Sequence, residues 1–520
     1  MKNCILLLSG LVACCLSAAE RPIGIDVGRQ LFVDDFLIAS TAGIVRVYNH
    51  PVKAFDAPLL FPETDLEREV AHQKAFGERL APAAVATSGG LWWDARLRRF
   101  RLWYESGWMH RLSYAESEDG VRWTRPDCGV VPGTNALLPD LDLDSWSVVP
   151  DYAADDPYSN WRMMVSLAGG TTDNRLFASS DGWSWTHVGD GGKSGDRSTL
   201  YYDPFRGEWV FSLRAYDGGR SRRRFASKEF GGPTCRWNWP DGAEKWMAAD
   251  ARDIALSDGG RPSLYNFDAV AYESVMLGMA EILQPIKGDN GACVKAGLPK
   301  ITDLHFAYSR DGRNFIRPDR TAAIPASRWG SGKWDTGYLS PMGGLCVIRD
   351  ERLWFYYSGM RGDATETKLA KHGVDWRGNG MHFNGSIGVA TLRRDGFAGL
   401  VADGRGEVVT KPLAFSGGHL FVNAECRFGA LSAEVLEADG AVVPGFSAAD
   451  CRTFARKDAV KAELRWKNAD LSALAGRPVR LRFKLHCGTL YSFWVARDAS
   501  GKSGGYVAAG GPAYPGLRDL

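Results

Sequence analysis

The stretch Ser117-Glu118-Asp119-Gly120-Val121-Arg122-Trp123 returns as Ser179-Ser180-Asp181-Gly182-Trp183-Ser184-Trp185 and again as Ser309-Arg310-Asp311-Gly312-Arg313-Asn314-Phe315. Each copy reads S-x-D-G-x-x-aromatic and follows a short apolar run. Asp-Gly supplies the positive φ of a tight hairpin, so the aromatic opens a returning strand. Upstream of the hairpins a second unit recurs: a strand, a polar turn, then a strand rich in aromatic and β-branched residues. It occupies 91–104, 156–165, 200–213, 270–278 and 347–357, and each copy leads into a third strand, at 111–116, 175–179, 224–228, 304–309 and 386–392. The third hairpin is degenerate around Glu229-Phe230, and the fifth is Asp395-Gly396-Phe397. Five units of about four short strands, with no long helix between them, predict an all-β chain built as a five-bladed β-propeller. The acids Asp119, Asp181 and Asp311 cap hairpins, and the closing aromatics pack between blades.

Outward from the repeats, the chain divides into a leader at 1–19, the propeller at 20–403 and an antiparallel β-sandwich at 404–520. The last of these reads as strands at 418–425, 431–438, 460–466, 479–485 and 489–496, with the Gly- and Pro-rich tail 501–520 as surface loop. The β-rich stretch 30–47 is expected to close the ring against the last blade, removing an exposed edge. In the leader, Lys2 precedes the apolar run 5–8, and Ser17-Ala18-Ala19 fits a small-residue cleavage site. The run is too short to span a bilayer, and no other segment is long and apolar enough. The expectation is a secreted or periplasmic protein; Leu11-Val12-Ala13-Cys14 also resembles a lipoprotein box, which would anchor the chain through Cys14. A formal net charge of +2 gives no reason to expect nucleic acid as a partner. Seven cysteines lie beyond the leader, with no C-x-x-C pair among them, which argues against a zinc or dithiol site; Cys426, Cys451 and Cys487 could supply a disulfide. His72, His110, His372 and His382 lack metal-ligand spacing, so neither metal nor cofactor is expected, although a structural Ca²⁺ in the channel is compatible with the fold.

In a propeller the innermost strands all start near one mouth of the central channel, so acids at those starts converge in space. Splitting a glycosidic bond requires such convergence of two carboxyl groups, one protonated and one ionised. Asp196 is the foremost candidate, entering blade three in Gly195-Asp196-Arg197. Asp144 holds the comparable position in blade two, each lying seven residues before a turn acid, Asp151 or Asp203. Blade four offers Asp268 and Glu273, blade five Asp335, and the closing segment Asp34 and Asp35. Trp334, Trp108, Trp146 and Tyr338 stand beside these acids and could stack on sugar rings. Arg214 and the run Arg220, Arg222, Arg223 and Arg224 read as a solvated strand face or as a reader of carboxylate or sulfate on an acidic glycan.

This pattern resembles the five-bladed propeller glycosidases, the family 32 N-terminal-domain-like proteins and their family 43 relatives. The resemblance covers most of the chain, including a sandwich after the propeller. Gly195-Asp196-Arg197 matches the placement of the family's Arg-Asp-Pro motif, but with Arg and Asp reversed and no Pro. Tyr272-Glu273-Ser274 is the nearest counterpart of its Glu-Cys acid/base motif, and Val33-Asp34-Asp35 only loosely replaces its nucleophile motif. The resemblance implies a glycosidase with Glu273 as general acid, Asp196 positioning the sugar and tuning that acid, and Asp34 or Asp35 as nucleophile or base. Asp335 and Asp268 are substitutes. A lectin-like propeller that binds glycan without cleaving it stands as the alternative, and a sialidase-like hydrolase fits less well, since sialidases carry six blades.

Overall fold

The computed structural model describes residues 21–68, 82–108, 111–138, 141, 143–168, 171–257, 259–296, 298, 300–360, 370–371, 374–375 and 384–520. The leader, with Cys14, therefore lies outside the described residues, as do His72, His110, His372 and His382. Strand dominates, and the sheets form the five blades and the sandwich. Blade one is Ala84–Asp94, Arg99–Ser106 and Arg111–Ser117. Blade two is Leu143–Pro150, Trp161–Leu167 and Thr172–Ser179, completed by the first half of the long strand Thr186–Asp203. The second half of that strand opens blade three and pairs with Glu208–Tyr216, followed by Arg220–Ser227 and Glu244–Ala248. Blade four is Ser263–Glu273, Val275–Leu283 and Thr302–Ser309. Blade five is Gly337–Ser340 with Cys346–Arg349, then Arg352–Met360 and Ser386–Arg393.

The repeated hairpins are the joints between blades. In each, one carboxylate oxygen accepts two backbone N–H groups: Asp119 from Val121 and Arg122, Asp181 from Trp183 and Ser184, Asp311 from Arg313 and Asn314, all at 2.7–2.9 Å. The preceding blade donates to carbonyls of each hairpin. Tyr356 of blade five bonds the Gly120 carbonyl at 2.8 Å and Trp103 of blade one bonds that of Gly182 at 2.8 Å. Arg206 of blade three bonds the carbonyl of Arg310 at 2.6 Å. The fifth hairpin docks differently, by its side chain: Tyr272 of blade four donates to Asp395 at 2.6 Å. A buried core of aliphatic and aromatic residues, with Trp92, Trp103 and Trp161 among its largest members, runs through the blades.

Three expectations are corrected. The ring is closed by Val52–Lys53, which pairs with Ser386–Arg393 as the outer strand of blade five. The stretch 30–47 instead joins the sandwich: Gln30–Leu31 pairs with Arg480–Ala496, and Ile38–Ala42 and Val45–Tyr48 pair with Ala398–Thr410. Exposed Val45 and Val47 suit such an edge position. The tail 501–520 is no surface loop. Tyr506–Val507 pairs with the end of Ser263–Glu273, and Val507, Ala508 and Ala509 are fully buried. Ala509 bonds Trp93 of blade one and Cys346 of blade five through its backbone, while Ala508 bonds Ala271 of blade four. Small residues allow this, since a Cβ on Gly511 would strike the Ile348 backbone. The tail thus plugs the channel at the ends of the inner strands and leaves the mouth at their starts. Finally, Cys426, Cys451 and Cys487 are free thiols, as are the other four described cysteines.

Candidate functional site

At the mouth, each blade brings polar or aromatic groups to a single buried cluster. Asp144 starts the inner strand of blade two, and Asp196 and Arg197 start that of blade three. Arg214 and Arg220 sit on the next two strands of blade three. Tyr265 and Glu281 come from blade four with Lys300 beside them, Tyr338 and Ser340 from blade five, and Glu105 and Trp108 from blade one. Lateral bonds hold these strands in place: Asn266 Nδ2 reaches Ser88 Oγ across the channel at 2.5 Å, and Thr199 Oγ1 donates to the Phe267 carbonyl at 2.6 Å. Arg222 is spent on the frame, its Nη1 bonding the Arg197 carbonyl at 2.7 Å and its Nη2 the Tyr265 carbonyl.

Arg197 organises the centre. Its φ of +58° turns the chain so that its amide donates to Asp144 Oδ1 at 3.0 Å, with its Nε 3.7 Å from the same oxygen. Its guanidinium lies 4.9 Å over Trp108 and 5.8 Å over Tyr338. The Lys300 ammonium lies 3.7 Å over both Tyr265 and Tyr338, and Arg220 4.5 Å over Tyr265. Cations face the negative π-faces of these rings, which partly replaces lost water. Asp196 forms ion pairs with this basic set, 3.1 Å from Arg214 Nε and 3.7 Å from Arg220 Nη1, and its side chain keeps 29 % of its exposure. Beside it opens a cleft of about 540 Å³ lined by Arg214, Arg220, Arg261 and Tyr216.

The surroundings push the carboxyl groups in different directions. Burial alone would raise Asp196, but Arg220, Arg214, Lys300 and Arg197 together hold it below the ordinary carboxylate value. Asp144 is raised by burial, Arg197 pulling against this and the neighbouring Asp196 charge adding to it. Burial also pushes Glu281 up to about 7, against the pull of Lys300 and Arg197. Two adjacent carboxyl groups driven apart in this way can act as proton donor and ionised partner at one pH.

Of the six acids singled out as catalytic candidates, only Asp196 stands at this mouth. Glu273 is at the opposite end of its strand, fully buried, where it accepts from Ser503 Oγ at 2.7 Å, Arg394 Nη2 at 2.9 Å and the Arg29 amide at 3.0 Å. It joins blade four to the sandwich and the tail. Asp34 pairs with Arg310 at 3.0 Å beside the blade-four hairpin, and exposed Asp35 pairs with Arg46 at 2.5 Å. Because stretch 30–47 belongs to the sandwich, neither carboxylate reaches the channel mouth. Asp335 turns into blade five, held by Lys53 Nζ at 2.6 Å and Tyr357 OH at 2.9 Å. Asp268 is buried farther along its strand, with one oxygen on the Ala269 amide at 2.9 Å, and burial raises it well above the usual value. Among the aromatics, Trp108 and Tyr338 line the mouth in a T-shaped pair at 5.9 Å, whereas Trp334 stacks on Tyr357 inside blade five. Arg214 is at the mouth. Asp144 carries a sequence signal, the spacing it shares with Asp196. Glu281 and Lys300 carry none, since they lie on a second strand and a loop outside the repeat. Among the described residues, no group of three or more His, Cys, Asp or Glu side chains is placed to hold a metal, and no helix is long and apolar enough to cross a membrane.

No family model and no curated protein matches the chain. Among solved structures it is similar to an N-acetylgalactosamine deacetylase from F. plautii, at 14% identity over 68% of this chain and 97% of that one, with a TM-score of 0.43. It is also similar to a fructofuranosidase from Schwanniomyces occidentalis, at 11% identity over 86% and 97%, with a TM-score of 0.36. At these scores the likeness carries no weight for chemistry, which rests on the residues of the mouth.

Proposed function

We propose that the protein is an exported glycoside hydrolase that works at the channel mouth, with Asp144 as proton donor and Asp196 as the ionised carboxylate. The observation that carries this reading is that two acids enter adjacent inner strands in opposite surroundings, Asp144 buried on the Arg197 amide and Asp196 beside Arg214 and Arg220, which raises the first and lowers the second. Asp144 gives its proton to the glycosidic oxygen as the bond to the anomeric carbon breaks. Asp196 either attacks that carbon or takes a proton from the attacking water, according to the carboxylate separation with substrate bound. The leader features around Lys2 and Ser17-Ala18-Ala19 support export. A panel of poly- and oligosaccharides assayed for new reducing ends tests the proposal, with Asp144→Asn and Asp196→Asn beside the parent. Full activity in both variants rejects the assignment.

One observation favours glycan binding without turnover as the second reading. The inner strand of blade one, Ala84–Asp94, carries its single acid at the far end, and Glu105, which the second strand of that blade brings to the mouth, is fully buried and takes a hydrogen bond from Thr87 Oγ1. Saturable binding with no reducing ends released, across the panel, selects this reading.

A further inference from the structure

Resting on the reading of the mouth as a sugar site, we propose that its sugar carries a carboxylate, a uronic acid, with Arg197 as the bidentate partner of that group. Arg197 is only 3 % exposed, and among the described residues both of its terminal nitrogens make no hydrogen bond. A desolvated guanidinium with two parallel donors unspent is costly unless a planar acceptor pair meets it, and a carboxylate has that shape. The acids already present do not serve. Asp144 engages the amide and Nε of Arg197, Asp196 is shared between Arg214 and Arg220, and Glu105 attracts Arg197 without a hydrogen bond to its terminal nitrogens, one of its oxygens taking Thr87 Oγ1 at 3.3 Å.

Acceptors are left over as well. Glu281 is fully buried with Ser340 as its hydrogen-bonding side-chain neighbour, and this loose contact leaves most of its acceptor capacity unspent. Lys300 and Arg197 act electrostatically on both Glu281 and Asp196, so these groups share one neighbourhood. A ligand that satisfies both sets must accept at Arg197 and donate at Glu281. A uronate does so with its carboxylate and its ring hydroxyls, whereas a neutral sugar leaves the guanidinium bare and a simple inorganic anion gives Glu281 no donor beyond Ser340. The site also sheds charge as it stands. Burial, then repulsion from Arg220, pushes the Lys300 ammonium well below its usual value, while Glu281 is raised. Outside, Arg214, Arg220 and Arg261 line the cleft that further residues of an acidic chain would follow.

The test is calorimetric binding of trigalacturonate, its methyl ester and the neutral galactose trimer to the full chain, with sulfated galactose oligomers as a further arm. Trigalacturonate is expected to bind about tenfold to a hundredfold more tightly than the ester or the neutral trimer, and Arg197→Met to abolish the difference. Because loss of a buried cation can impair folding, Arg220→Gln serves as a second variant, expected to reduce the preference with the fold intact. Equal affinity for acid, ester and neutral trimers in the parent protein overturns the inference without any variant. Preference for the sulfated oligomers over trigalacturonate overturns it too. Hydrolysis of neutral glycans that depends on Asp144 and Asp196, with no preference for uronate, removes this inference and leaves the hydrolase reading standing. Arg197-dependent uronate binding with no hydrolysis does the reverse.

Discussion

At the residue scale, the mouth is a set of ionisable groups each displaced from its ordinary state by a named neighbour. Asp196 is held low because Arg220, Arg214, Lys300 and Arg197 surround it, and Asp144 is raised because it is buried beside the Asp196 charge. The rate of hydrolysis should therefore rise as pH passes the lowered Asp196 value and fall as pH passes the raised Asp144 value. In Asp144→Asn the alkaline limb should vanish together with about a hundredfold or more of the rate; an unchanged pH–rate profile would deny it the donor role. Glu281 gives a stability test that is independent of turnover. Its pKa rises from 4.5 to about 7 on folding, so the folded state binds the extra proton and loses stability as pH climbs through that window. At about pH 8 the cost is on the order of 3 kcal/mol. Glu281→Gln removes it, so the variant's denaturation midpoint should exceed the parent's at about pH 8 and not at about pH 4. Asp144 was legible as a mouth residue because its spacing repeats that of Asp196. Glu281 was not, because a buried acid on a second strand looks in sequence like any strand polar residue.

At the scale of the element, the hairpins carry the ring. Asp181 satisfies two backbone amides while its own carbonyl and that of Gly182 accept from Arg101 and Trp103 of the previous blade. Asp181→Ala should cost about 1–2 kcal/mol, the scale of losing a side chain that caps backbone amides at a helix N-terminus, and Gly182→Ala more. The glycine has φ +77°, and an added Cβ would lie 2.7 Å from Trp103. Thermal melts of the two variants check the order. The hairpin carboxylates are held low, Asp311 at about 2, by the amides they accept. Their contribution is thus full above the unfolded value of 3.8 and fades as pH falls toward 2. These elements were readable because Asp-Gly chemistry is local. The closing strand was misplaced by one element for the converse reason: Val45–Tyr48 and Val52–Lys53 are both short and β-branched, and which of them meets blade five is settled by distant partners.

At the scale of the whole molecule, the two ends of the channel have separate tasks. One end is plugged by the tail and locked by Glu273, Arg29, Arg394 and Asp395, while the other gathers Asp144, Asp196 and the basic cluster. Removing one partner of a buried ionic group costs about 3–5 kcal/mol, so Glu273→Gln should lower the melting temperature. Where the variant remains folded, KM and kcat should match the parent's; a selective loss of kcat would put Glu273 back into the chemistry. Propeller and sandwich were legible from repeats and strand alternation. The division of labour was not, because the sequence of the strand Ser263–Glu273 made Glu273 the acid to expect, with Asp268 as substitute, and only the strand's direction in the ring puts Glu273 at the plug. The most direct measurement is release of reducing ends from a glycan panel, acidic polymers included, by the parent, Asp144→Asn, Asp196→Asn and Glu273→Gln, each shown to be folded. The expected result is turnover by the parent and Glu273→Gln, with loss in both mouth variants. Turnover that survives in the mouth variants and disappears in Glu273→Gln would contradict the placement of the site.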